Sequence, residues 1–77
     1  STPNPVGDPL FEAMRELRRT LAKDAQVPPY VIFNDATLRD MTEKRPATLA
    51  AFGEISGVGS KKLAAFGEAF LEVIRRH

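Results

Sequence analysis

Prolines set the limits on what this chain can become. Pro9, Pro28, Pro29 and Pro46 each open or close a regular element, because proline lacks a backbone donor and disfavours helical geometry in the residue before it. Asp8 followed by Pro9 pairs a helix-capping residue with proline at the first helical position. Leu10, Met14, Leu17 and Leu21 then recur at spacings of four, three and four, a single helical stripe with Phe11 beside it. Arg15, Glu16, Arg19 and Lys23 point away from that stripe. Pro28-Pro29 ends this helix and holds Tyr30 to Phe33 in an extended or single-turn connector. Asn34 is placed to cap a second helix from Asp35 to about Lys44, burying Ala36, Leu38 and Met41, before Pro46 stops it.

Glycines punctuate the second half, at Gly53, Gly57, Gly59 and Gly67. Thr48 caps a short third helix whose apolar residues are Leu49, Phe52 and Ile55. Ser56-Gly57-Val58-Gly59 reads as a tight turn, and Ser60 as the cap of the last helix. That helix carries Leu63, Gly67, Phe70 and Ile74 on one face, with Phe66 and Leu71 flanking and Lys61, Glu68, Glu72, Arg75 and Arg76 opposite. Gly67 in mid-face costs ~1 kcal/mol against alanine, so a neighbouring helix is expected to approach closely there. No alternating strand pattern occurs, and the reading is an all-α bundle. Residues 1–8, with Pro3 and Pro5 and with Val6 as their one other apolar side chain, read as a disordered linker; residues 9–77 are expected to form the helical domain.

Composition narrows the chemistry. Seventy-seven residues suffice for one small core. Without cysteine there are no disulfides or thiolate metal sites. The only histidine, His77, is the last residue and is expected to be disordered, which leaves no imidazole for acid–base work or metal binding. The ten carboxylates sit among basic neighbours as a solvated surface, and Asp35 and Asp40 are too far around their helix to form a metal pair. Gly57 to Lys61 superficially resembles a phosphate-binding loop but lacks the required spacing. The domain is therefore read as non-catalytic, with no metal and no cofactor. No apolar run approaches the ~20 residues of a membrane span, and no signal peptide is read in the sequence, so the expectation is a soluble, intracellular, one-core module, monomeric as an isolated domain.

The net charge of +1 argues against binding nucleic acid by bulk charge. Locally the picture differs. Residues 10–23 carry four basic and two acidic side chains, as do residues 60–77, giving +2 in each; the remainder is neutral or negative. Two mildly basic regions, meeting in space, would engage a few phosphates each.

Two segments invite such contact. From Leu49 to Phe66, a short helix, a Gly-Val-Gly reversal and a second helix aim unpaired backbone amides outward, at the positive end of the helix dipole. Lys61 and Lys62 oppose that dipole unless an anion is bound. The arrangement resembles the helix-hairpin-helix that touches DNA backbones without regard to sequence; the alternative is a plain helical turn whose glycines satisfy backbone geometry alone. Tyr30 has two readings as well. Its ring is either buried on the first helix or exposed as a stacking platform, worth ~1–3 kcal/mol per base.

Leu10-Phe11, Leu17-Arg18 and above all Val27-Pro28-Pro29-Tyr30-Val31-Ile32-Phe33-Asn34-Asp35-Ala36-Thr37-Leu38 closely resemble the HRDC family, the helicase-and-RNase-D C-terminal module. So do Gly57-Val58-Gly59, Lys62-Leu63 and Phe66-Gly67. The resemblance runs from Leu10 to Arg76 and is greatest to the HRDC domains that end bacterial RecQ-type DNA helicases. It implies a compact bundle of about five short helices that aids an ATP-dependent helicase in DNA repair and recombination, at the nucleoid in the bacterial cytoplasm. In the family, the tyrosine of the Pro-Pro-Tyr segment and basic residues near it form a weak site for single-stranded DNA. Tyr30 matches that tyrosine. Arg18, Arg19, Lys23, Lys61 and Lys62, with Gly57 and Gly59 of the turn, are the accompanying candidates. The implied partners are single-stranded or junction DNA and the rest of the helicase chain. A second implied role is protein docking or autoregulation with little DNA affinity. A third, more distant one is the tail of an RNase D-type nuclease whose chemistry lies upstream.

Overall fold

Most helix starts are dictated by the residue before them. The Asp8 carboxylate accepts the Leu10 amide at 2.8 Å and opens α1, Pro9–Ala25. Asn34 accepts the Thr37 amide at 2.8 Å and opens α3, Asp35–Lys44. Thr48 accepts the Ala51 amide at 3.1 Å and opens α4, Leu49–Gly53. Between the first two lies a single turn, α2, Pro29–Ile32, set by the fixed backbone of its leading proline. The last helix, α5, spans Ser60–Arg76. The computed structural model describes residues 8–77, and among them there is no strand. The all-α expectation holds. Residues 1–7 of the expected linker lie outside the described residues, and Asp8, its last residue, is the α1 cap.

The α5 start departs from expectation. Gly59, extended at φ −86° and ψ 169°, is the capping residue, and Ser60 already stands one residue inside the helix. Gly59 supplies no side-chain acceptor; its carbonyl receives the Leu63 amide at 2.8 Å. Two helices end in the left-handed conformation without glycine, at Gln26 (φ 59°) and Arg45 (φ 44°).

α1 packs against α2, α3 and α5, and α4 packs against α5. Leu10 and Met14 of α1, Ile32 of α2, Leu38 and Met41 of α3, Phe52 of α4 and Phe70 and Leu71 of α5 are fully buried. Leu17 and Leu21 pack at the core margin. At the centre is Phe33, just past α2. Its ring meets Phe70 at 5.1 Å, Phe66 at 6.1 Å and Phe52 at 6.2 Å, each edge to face, the arrangement the aromatic quadrupole favours. Ala36, expected in the core, is exposed. At ~100° per residue it lies about 200° from Leu38, and the inward positions belong to Thr37 and Thr42. Both threonines are hydrogen-bonded, Thr42 to the Leu38 carbonyl at 2.8 Å and Thr37 to the Ser56 carbonyl at 3.2 Å.

That second bond joins α3 to the turn before α5. There Gly57 adopts φ 92°, and Val58 turns inward and is buried. A side chain at Gly57 would run into the Thr37 hydroxyl. Gly67 meets its expected close neighbour: a methyl there would stand 3.1 Å from the tip of Leu49 of α4 and 3.0 Å from that of Leu63. His77, expected to be disordered, instead caps α5. Its amide reaches the Ile74 carbonyl, and its own carbonyl accepts the Arg45 guanidinium at 3.0 Å. Among the described residues no helix is long and apolar enough to cross a membrane.

Candidate nucleic-acid interface

One turn of helix has few inward directions, and in α2 and its cap Ile32 and Phe33 take them. Tyr30 and Val31 are left facing solvent, Tyr30 with 68% of its surface exposed. The ring is exposed and not buried on α1. The prolines before it and the buried pair after it hold its backbone firmly while the ring stands free.

Beneath the connector, Arg18 reaches up from α1. Its Nη1 donates to the Phe33 carbonyl at 3.0 Å and to the Asp35 carboxylate at 2.8 Å. The side chain is 11% exposed, and its Nε is buried with no hydrogen-bond partner among the described residues. Arg18 therefore braces the connector more than it faces solvent. The hydrogen bond from Arg18 holds the Asp35 carboxyl below its ordinary value of 3.8, with partial burial opposing; the positive charges of Arg18, Arg39 and Arg15 reinforce the effect. Three guanidinium groups thus favour the charged form of Asp35 at the start of α3. Sequence reading missed Arg39 and set Arg15 aside as a surface charge. Helical spacing carried the signal, since Arg39 is four residues after Asp35 and Arg15 three before Arg18.

Arg19 sits on the outer side of α1, paired with Glu16 at 2.7 Å. Arg15 pairs with Glu12 at 3.2 Å. Together with Arg18 and Pro29, these two pairs line a groove of about 240 Å³ between α1 and the start of α2. Lys23 stands one turn further along, beside a second shallow depression shared with Arg19, Glu16, Thr20 and Asp24.

From the other basic segment, Lys61 is exposed, whereas Lys62 is half-buried with its ammonium 5.7 Å from the centre of the Phe33 ring. A cation over an aromatic face is attractive by ~0.5–1 kcal/mol at such a site. The two basic segments do meet, and they meet at Phe33, Arg18 on its carbonyl and Lys62 over its ring. Gly57 looks elsewhere. It borders a depression with Asn34, Ala36, Thr37, Asp40 and Ser56, in which the one charged group is a carboxylate. Gly59 is open, with nothing within 4 Å of where a methyl would stand.

Five helices in one bundle, with a proline-led single turn between α1 and α3, are the fold of a known class of helical domain. The HRDC domain pattern matches residues 8–74, and the chain belongs to the HRDC family. It is 43% identical over 68 residues to the ATP-dependent DNA helicase RecQ of Haemophilus influenzae, covering 88% of this chain and 11% of that protein. To the RecQ of Bacillus subtilis it is 40% identical over 70 residues, covering 91% and 12%. The chain thus spans about a tenth of the length of these relatives. Among solved structures it is similar to D. radiodurans RecQ HRDC domain 3, with a TM-score of 0.84 and 42% identity over 87% of this chain and 88% of that one.

Proposed function

We propose that this HRDC domain is an accessory DNA-contact module of a RecQ-type, ATP-dependent DNA helicase. It holds single-stranded or structured DNA weakly and without regard to sequence, tunes the helicase, and performs no catalysis itself. The observation that carries this reading is the free ring of Tyr30 on a braced single turn, directly beside the arginine groove of α1 that begins at Pro29. A base stacks on the ring while phosphates run past Arg19, Lys23 and, from α5, Lys61. Arg18 and Lys62 position Phe33 and so the platform; Gly57 and Gly59 shape the turn that leads to Lys61. Few cations are on offer, so affinity is low and falls with salt at about −0.7 in log–log slope per phosphate on a single strand. Weak contact suffices when the DNA is already held by the attached helicase, because tethering converts the second contact into an intramolecular one. The partners of this reading are DNA and the remainder of the helicase chain. The domain works as a monomer, at the nucleoid in the bacterial cytoplasm.

A second reading, docking on the helicase core or a partner protein, draws on Val31, which extends the exposed step next to Tyr30. Fluorescence anisotropy of labelled oligothymidine with the isolated domain separates the two. The DNA reading expects saturable binding at low salt that weakens as salt is added, with a slope set by the few phosphates engaged. An absence of binding at low salt rejects it and leaves docking.

A further inference from the structure

The groove next to Tyr30 contains its own competitors for phosphate. Of its six lining residues, Arg15 and Arg19 are the two exposed cations, and each is held by a carboxylate one turn earlier on the same helix, Arg15 by Glu12 and Arg19 by Glu16. All four side chains are half to two-thirds exposed. Ion pairs at such exposure are weak and are readily exchanged for a stronger charge-assisted contact to phosphate. Arg18, the third arginine of the groove, is fixed to Phe33 and Asp35 and stays in place. The cations that can move are the ones that carboxylates occupy.

We infer that Glu12 and Glu16 are built-in competitors that hold Arg15 and Arg19 until a DNA phosphate displaces them, setting the affinity of the groove low. The inference rests on the DNA-contact reading and adds the residues that regulate it. With both carboxylates present the groove is nearly neutral to an approaching strand. When a strand stacks on Tyr30, its phosphates enter the groove at high local concentration, take the two guanidinium groups and leave Glu12 and Glu16 to water. Binding is thereby confined to DNA delivered to the domain.

The test is a salt titration of oligothymidine binding by the wild-type domain, by E12Q/E16Q and by E54Q/E72Q. The last pair is the control. It adds the same two units of charge and releases Arg76 from an exposed pair of the same kind, but on α5, while Glu54 borders a different depression with Lys44 and Pro46. The expected result is about four-fold tighter binding by E12Q/E16Q at low salt, roughly two-fold per released arginine, with a steeper salt slope; the control changes less than two-fold. On an R15Q/R19Q background, the two glutamine substitutions should give no more than the control does. Wild-type binding that depends on Tyr30, together with equal gains for E12Q/E16Q and the control, overturns this inference and leaves the DNA-contact reading standing. Absence of binding by all three proteins overturns both.

Discussion

Three residues each carry a role their type alone does not reveal. Phe33, in a connector between helices, is the centre of the aromatic core. Its neighbours come from α4 and α5, far along the chain, so its sequence context shows apolar character and nothing of its centrality. Gly57 is needed for two reasons at once, its positive φ and the Thr37 hydroxyl beside it. Gly57→Ala should cost at least ~1–3 kcal/mol in urea unfolding, because strain is joined by loss of the Thr37 bond to Ser56. Gly59→Ser, by contrast, should gain a few tenths of a kcal/mol by providing the missing α5 cap. Equal effects at the two glycines would contradict this division of roles. Asp35 gives a pH signature. Its carboxyl titrates below 3.8 when folded because Arg18 donates to it, so the pair stabilises the fold above about pH 4 and that contribution is lost as pH falls through the folded value. As Asp35 is largely exposed, the contribution stays below about 1 kcal/mol. Asp35→Asn should flatten the acid limb of a stability–pH curve, measured by thermal melts between about pH 5 and pH 2.

At the scale of elements, what was legible followed from local chemistry. Asp8, Asn34 and Thr48 were readable as caps because a capping bond spans two or three residues. The α5 cap was misplaced by one residue because Gly59 and Ser60 both suit that position, and tertiary packing of the turn on Thr37 decides between them. The helix ends were less legible still, since neither Gln26 nor Arg45 is a usual left-handed residue. They differ in what they do there. Gln26 only closes α1, through its amide to Ala22 and Lys23. Arg45 also reaches the His77 carbonyl at 3.0 Å and the Asp8 carboxylate at 3.6 Å, tying the end of α3 to the end of α5 and the start of α1. Gln26→Gly should therefore raise the melting temperature by a few degrees, for about 0.5–1 kcal/mol of relieved backbone cost. Arg45→Gly, relieving the same geometry but losing both ties, should gain less or lose stability. A larger gain at Arg45 would show that those ties contribute nothing.

For the whole molecule, the candidate interface was legible as a list of residues but not as an arrangement. Tyr30 stood out beside its two prolines, yet its exposure depends on Ile32 and Phe33 filling the core first. Arg18 and Lys62 read as free cations along the chain; the fold turns both toward Phe33. Arg15 and Arg19 are paired in the groove, which leaves a net charge of +1 spread as mixed pairs over the α1 face. In the proposed DNA contact, aromatic stacking then contributes more than charge. The most direct measurement is oligothymidine affinity at low salt for the wild-type domain, Tyr30→Phe and Tyr30→Ala, each confirmed folded by circular dichroism. Tyr30→Ala should weaken binding roughly five-fold or more, in line with loss of ~1 kcal/mol or more of stacking, while Tyr30→Phe should retain most of it. Unchanged affinity for Tyr30→Ala would rule out base stacking on this ring.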